Sequence, residues 1–301
     1  MVRAAPRNSR RFVPERHPRD VLQEHGIRPK KGLGQNFLVS AENLDRIVAA
    51  AEVSACEAIL EIGTGMGSLT ERLAARAAHV VSVEIDKALY EIASRRLEGI
   101  HNLSLLCCDF LASKHRINPL VADAAGRALE GRPQSLKVVS NLPYSISSPA
   151  VVDLLEWDIT VGRMCLMLQK EVADRLTAAP GQSEYGPLTV YVGYWARVER
   201  IFNLPRHAFW PAPEVSSTLV KVTRRPERRR TEQYDTFAAV VRKLFESRRK
   251  TLAHILRAGW GDEAARRVLE RLGLDPRGRV EDLGTADFEA IARAAGPPQK
   301  R

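Results

Sequence analysis

The stretch "ILEIGTGMGSLT", residues 59–70, decides how the chain is read. Ile59, Leu60 and Ile62 belong to a short apolar run of the kind that fills a buried strand, and Gly63, Gly65 and Gly67 separate it from a segment with helical spacing. Glycine turns tightly and lets backbone approach a ligand where a Cβ would collide. Strand, glycine loop and helix in that order open a nucleotide-type α/β sheet. The spacing departs from that of a dinucleotide site, where the third glycine usually follows the second by three residues, and no Gly-Lys-Ser/Thr triplet follows to suggest a nucleotide triphosphatase.

Reading outward, the periodicity predicts a helix over 41–51, where Leu44, Ile47, Val48 and Ala51 share a face, then the strand "EAILEIG" and the helix "SLTERLAARA". The strand "HVVSVEID", the helix "KALYEIASRRLE" and the strands "NLSLLCCD" and "LKVVSN" come next. "SPAVVDLLEW" through "RMCLMLQKEVADRLTA" adds a helix, a strand and a helix, and the β-branched region from "GPLTVYVGYW" to "LVKVTRR" reads as the later strands. Short apolar runs alternating with helices indicate βαβ units and a parallel sheet. "RRPERRRTEQYD" lacks apolar periodicity and reads as a linker; "FAAVVRKLFESRRKTLAHILRAG", "DEAARRVLERLG" and "ADFEAIARAAG" read as three helical segments of a small all-helical domain. The expected organisation is a basic flexible arm over 1–24, a catalytic domain over 25–223, a linker over 224–233 and a helical RNA-binding domain over 234–301.

With 45% hydrophobic residues in 301 the chain can bury a full core, and it has no run long and apolar enough for a membrane span. The basic start "MVRAAPRNSRRFVPERHPRD" has no apolar core segment, which argues against secretion and for a cytoplasmic protein, an organellar matrix being the alternative. Cys56, Cys107, Cys108 and Cys165 match neither a zinc nor a redox spacing and read as reduced, core or half-buried residues; the histidines form no i,i+4 pair, so no metal is expected. The net charge of +10 is uneven, with +6 in residues 1–31 and +5 in residues 242–257. Two basic blocks suggest a polyanionic partner, with Lys30, Lys31, Arg248, Arg249 and Lys250 as candidate phosphate contacts; a merely solvated face is the alternative.

Two acids follow the glycine loop at successive strand ends. Glu84 is placed to accept from both ribose hydroxyls of an adenosine, Asp109 from an adenine amino group, and Phe110 to pack on the ring. A nucleoside cofactor without a pyrophosphate, S-adenosylmethionine, fits this rim better than NAD. A fourth strand ends in "NLPYSISSP", residues 141–149. The Asn141 side-chain oxygen and the Leu142 carbonyl are suited to accept the two N–H groups of an exocyclic amine, Pro143 to fix the turn and Tyr144 to stack on the base. Helix capping by Asn141 and loop shaping by Pro143 and Tyr144 are the structural alternative.

Together, "KKGLGQNFL" (31–38 from its second lysine), "EIGTGMGSLT" (61–70), "VEID" (83–86), Asp109 and "NLPYSISSP" resemble the rRNA adenine N6-dimethyltransferase family. "MLQKEVADRL", "YGPLTV", "AFWPAPEVSSTLV" and "LFESRRKTL" are more similar to its bacterial small-subunit branch than to the large-subunit Erm resistance enzymes. The resemblance covers most of residues 28–257 and implies a Rossmann-like S-adenosylmethionine-dependent methyltransferase sheet with a small helical C-terminal domain. It also implies that Gln35, Asn36 and Leu38 meet the methionine end of the cofactor, Gly63 to Gly67 its middle, Glu84 its ribose, and Ile85, Asp109 and Phe110 its adenine. Asn141, which would also border the cofactor, forms the target pocket with Leu142, Pro143 and Tyr144, and Phe209 offers a second stacking face. The implied reaction adds four methyl groups to two adjacent adenosines near the 3′ end of small-subunit rRNA, giving N6,N6-dimethyladenosine on an assembling subunit, by a monomeric enzyme. Thr64 stands where the family more often has proline, and Glu214 and Ser216 where it more often has Lys and Asp. An Erm-type enzyme and a non-catalytic RNA-binding or transcription-associated factor on the same fold are the alternatives.

Overall fold

The computed structural model describes residues 16–113, 115–132 and 135–299, so the first fifteen residues of the expected basic arm lie outside the described residues. The core is a seven-stranded sheet in the spatial order Leu103–Cys107, His79–Glu84, Ala58–Ile62, Leu136–Asn141, Val161–Gln169, Ser217–Arg224, Ala196–Leu204. The first five strands pair in parallel, and Ser217–Arg224 runs antiparallel to Val161–Gln169. Ala58–Ile62 is buried at every position because helices cover both faces of a parallel sheet, so its strands read as continuous apolar runs. Strand order reverses between Ala58–Ile62 and Leu136–Asn141, and the carboxyl ends flanking that reversal are where α/β sheets place a ligand crevice. The glycine loop leaves one of these strands and the Asn-Leu-Pro-Tyr turn leaves the other.

The helix Ala41–Ala51 forms where its spacing predicts, burying Leu44, Ile47, Val48 and Ala51. The expected arm is ordered over its last part: Pro18–Glu24 is helical, with Pro18 in its first turn and the His17 ring accepting from the Arg19 amide. One apolar residue accounts for it. Leu22 is fully buried with Phe37, Met66, Leu89 and Ile92.

The chain divides into two compact units. One runs through Lys170 and resumes over Glu199–Thr223; the other comprises Glu171–Val198 and the chain from Arg224 onward. The helices Lys170–Thr177 and Pro187–Trp195 thus group almost wholly with the C-terminal helices, in place of the single cut after residue 223 expected from the sequence. Pro187–Trp195 is also a helix and not a strand, despite Thr189, Val190 and Val192. Pro187 at the first helical turn starts it, and Tyr194 and Trp195 pack on Tyr234 and Phe237 at centroid distances of 4.7–5.0 Å across that cluster, so tertiary burial overrides β-propensity. The linker is anchored in this unit, with Arg228 bonded to both Glu289 oxygens at 2.8 and 2.9 Å and lying over the Tyr194 ring. The helix expected from Phe237 to Gly259 is broken: Glu232–Phe245 ends, a turn carries Arg248, Arg249 and Lys250, and Thr251 caps Leu252–Trp260. The helices Asp262–Leu272 and Thr285–Ala295 complete the unit. Cys165 is buried and Cys108 half-buried, as expected, whereas Cys56 and Cys107 are exposed, against the expectation of core or half-buried positions.

Candidate active site

A cavity lies at the carboxyl ends of the strands, bounded by the glycine loop, the segment 33–38, residues 83–85 and 108–110 and the turn 141–146. Gly63, Gly65 and Gly67 all have positive φ, at 86°, 58° and 81°. The Gly63 and Thr64 amides donate to the Val83 carbonyl at 2.8 and 3.1 Å, tying the loop to the next strand. A Cβ on Gly63 would meet the Pro143 ring at 3.1 Å, so this glycine permits the two loops to touch. Gly67 does not line the cavity; it caps the helix Ser68–Ala74 and packs on Leu97.

Glu84 lines the cavity at 4% exposure. One carboxylate oxygen accepts from the Gly65 amide at 2.8 Å and the other from the Asp86 amide at 2.9 Å, which fixes the group and leaves each oxygen a lone pair. Burial pushes this carboxyl above its ordinary pKa, against the Asp86 and Gly65 amides, which pull it down. Asp109 is exposed, with one oxygen holding the Leu111 amide at 3.0 Å; Phe110 is buried behind it and Ile85 remains 47% exposed on the cavity wall. Among the described residues lining the cavity there is no Lys, Arg or His, while the acids Glu84 and Asp109 are present. Such a rim has an acceptor for ribose and apolar surface for a ring, supplies no cation for a pyrophosphate, and electrostatically suits a positively charged sulfonium. The residues fit S-adenosylmethionine on these grounds.

Gln35, Asn36 and Leu38 also line the cavity. The Gln35 amide donates to Asp86 at 2.9 Å and its oxygen accepts from the Lys30 backbone at 2.7 Å, so its polar atoms brace the segment. Leu38 is 7% exposed and pairs through its backbone with Phe209. At the Asn-Leu-Pro-Tyr turn, the Asn141 Nδ2 donates to the Asn36 carbonyl at 2.9 Å. That bond orients the amide, because only its nitrogen can donate, and leaves Oδ1 as an acceptor. Leu142 and Pro143 line the cavity beside it, and the Tyr144 hydroxyl bonds Ser217 Oγ at 2.6 Å, which holds the ring at the cavity edge. Phe209 differs from its expected place: it is 2% exposed in the core cluster with Leu38, Leu44 and Met167 and does not line the cavity, because the adjoining strand pair turns it inward.

The candidate RNA residues divide. Lys30 places Nζ 3.0 Å from the buried Asp86 carboxylate. Burial works against that carboxylate, yet the hydrogen bonds from Gln35, Lys30 and the Ala88 amide hold its pKa below the ordinary value. Lys31, Arg249 and Lys250 are exposed, and Arg248 is paired with Glu281 at 3.1 Å. Two parts of the site escaped the sequence reading. Phe37, Met66 and Leu89 form its apolar floor. Glu61, 1% exposed, accepts from Thr70 at 2.5 Å and Ser82 at 2.7 Å, and burial pushes its pKa up to about 8. Its one signal was an acid inside the otherwise apolar "AILEI".

The family model described as ribosomal RNA adenine dimethylase matches residues 26–295. The chain is 39% identical to Ribosomal RNA small subunit methyltransferase A of Pelotomaculum thermopropionicum, over 91% of this chain and 94% of that one. It is 40% identical to the protein of the same name from Moorella thermoacetica, with the same coverage. Among solved structures, a dimethyladenosine transferase from Plasmodium falciparum superposes with a TM-score of 0.71 at 25% identity, covering 87% of this chain and 99% of that one. The 23S rRNA methyltransferase ErmE shares the fold, with a TM-score of 0.66 at 24% identity over 86% of this chain and 99% of that one. Extending over nearly the whole chain and including both motif-bearing loops, the match shows that this chain belongs to the ribosomal RNA adenine dimethylase family.

Proposed function

We propose that the protein transfers methyl groups from S-adenosylmethionine to N6 of two adjacent adenosines near the 3′ end of small-subunit rRNA, giving N6,N6-dimethyladenosine during subunit maturation. The observation that carries this reading is the orientation of Asn141, whose Nδ2 is committed to the Asn36 carbonyl at 2.9 Å. Its free Oδ1 accepts one N–H of the target amine and the Leu142 carbonyl accepts the other. Holding both protons in this way aims the nitrogen lone pair at the methyl group, and the proton that the methylated nitrogen sheds leaves to water; positioning and electrostatics supply the rate. S-adenosylmethionine supplies an activated methyl group when bound.

Glu84 holds the ribose, Ile85, Asp109 and Phe110 the adenine, Gly63 and Gly65 the backbone approach, and Gln35, Asn36 and Leu38 the methionine end. Tyr144 stacks on the flipped target base with its ring anchored through Ser217. Lys31, Arg249 and Lys250 contact phosphates. The relatives carrying the small-subunit name are bacterial, which supports a cytoplasmic enzyme acting on an assembling subunit; that it acts as a monomer and without a metal is part of the same proposal.

The test is labelled methyl transfer from S-adenosylmethionine onto undermethylated small subunits, with nucleoside analysis of the product. Dimethyladenosine at two adjacent positions is the expected result. Methylation confined to large-subunit RNA overturns the substrate, and cofactor binding without any transfer overturns the catalytic reading.

A further inference from the structure

The Asn-Leu-Pro-Tyr turn does not stand by itself. Gly34, at φ 64°, approaches it so closely that a Cβ there would lie 3.0 Å from the Tyr144 backbone nitrogen and 3.3 Å from that of Ser145. These are main-chain atoms, so a clash cannot be relieved by rotating a side chain. Two residues later, the Asn36 carbonyl takes the Asn141 amide proton. The same segment is clamped to Asp86 Oδ2 by Lys30 Nζ at its other end, at 3.0 Å, and by Gln35 Nε2 between Gly34 and Asn36, at 2.9 Å. The Asp86 amide in turn donates to Glu84.

We infer that residues 30–36 form a strap that sets the alignment of the target amine, with Gly34 and Lys30 as positioning residues, by linking the Asp86 clamp beside Glu84 to the amide of Asn141. The inference rests on the reading of Asn141 as the holder of that amine. Gly34 permits contact without a side chain between strap and turn, and the Asn36 carbonyl selects the amide face turned to the substrate. Lys30 and Gln35 keep the strap from lifting, because releasing it would leave the buried Asp86 carboxylate without its two side-chain donors. Lys30 is therefore assigned to alignment rather than to a phosphate. A displacement of the turn by a few tenths of an ångström leaves the cofactor rim in place but misdirects the nitrogen, and misplacement of about 1 Å costs on the order of a hundredfold in rate.

Gly34→Ala, Lys30→Met and Lys30→Arg test this in the full chain, by calorimetry with S-adenosylmethionine, salt-dependent RNA binding, and single-turnover transfer at saturating cofactor and subunits. Gly34→Ala is expected to transfer at least about tenfold more slowly at saturating cofactor, beyond any loss of affinity at the methionine end that Gln35 and Asn36 hold. Lys30→Met is expected to lose rate with an unchanged salt slope, and Lys30→Arg, which keeps the ion pair, to recover it. Wild-type rate in Gly34→Ala overturns the inference, as does a fall in rate matched by an equal fall in cofactor affinity. If Gly34→Ala does not fold, the Lys30 pair decides: a normal saturated rate in Lys30→Met with a salt slope reduced by about one overturns the inference and makes Lys30 a phosphate contact. Absence of dimethyladenosine from the wild type itself strikes instead at the proposed function.

Discussion

The two loops at the strand-order reversal are built by different means. The glycine loop is fixed locally and by its neighbouring strand: positive φ at alternate residues, two amides on the Val83 carbonyl and one on Glu84. The Asn-Leu-Pro-Tyr turn is fixed from a distance, through Asn36, Gly34 and Ser217, which lie 105, about 110 and 73 residues away along the chain. On the proposed assignment, cofactor binding draws on a loop and a strand-end acid that the sheet already orders, whereas target alignment draws on contacts brought from far along the chain. The two functions are separable by mutation.

Asn141→Ala should have the largest effect, slowing methyl transfer by on the order of a hundredfold or more, the cost of losing one aligned hydrogen bond at a reacting centre. Cofactor affinity measured by calorimetry should be nearly unchanged; if affinity collapses while transfer persists in proportion to bound cofactor, Asn141 belongs to the cofactor side. Glu84→Ala tests the opposite loop. It should weaken cofactor binding by roughly 1–3 kcal/mol, about tenfold or more, with the saturated transfer rate largely kept. A variant that binds cofactor normally but transfers slowly would dissolve the division between the loops.

Glu61 lies beneath the glycine loop and gives a pH test of the same comparison. Its folded pKa, about 8, is raised above the ordinary value of 4.5, so the folded state holds more protons than the unfolded state between those values. The resulting stability is fully present below pH 4.5 and is lost as pH rises towards 8. Glu61→Gln removes this loss, so the variant should gain on wild type between pH 5 and 8 by at most about 1.4 kcal/mol per pH unit in denaturant titrations. A constant difference would mean that Glu61 is ionised throughout, held by Thr70 and Ser82. The smallest effects belong to the basic turn of the helical unit. Arg249→Ala and Lys250→Ala should each reduce the slope of log RNA affinity against log salt by about one, and Arg248→Ala by less, because Glu281 already offsets its charge. Equal slopes for all three would show that the pairing with Glu281 opens on binding.

Much of the cofactor half was legible because its signals are short-range. A buried parallel strand declares itself by an unbroken apolar run, a tight turn by glycine, and a strand end by the first acid after the run, as at Glu84 and Asp109. The first five strands, the helix Ala41–Ala51 and the cavity positions of Gly63, Gly65, Glu84, Ile85, Asp109 and Phe110 follow from those patterns. Where periods conflict or charge stands alone, local reading failed. Pro187–Trp195 has β-branched residues and no strong amphipathic face, and became a helix through aromatic packing. Lys30 looked like one more basic residue until the buried Asp86 stood 3.0 Å from it. Phe209 follows "HA" in a loop-like stretch, yet its pairing with Leu38 turns it into the core.

The sequence by itself determined the five parallel strands, the glycine rim with its two acids and the family, because these rest on residue spacing within single elements and their adjoining loops. Tertiary structure alone decided which face the Asn141 amide presents, what Lys30 pairs with, where Glu61 hides its carboxyl and how the chain divides into units. Each of these depends on atoms from segments far apart in the chain. The free energy of a polar group is settled by the partner it meets on burial, and no local pattern names that partner.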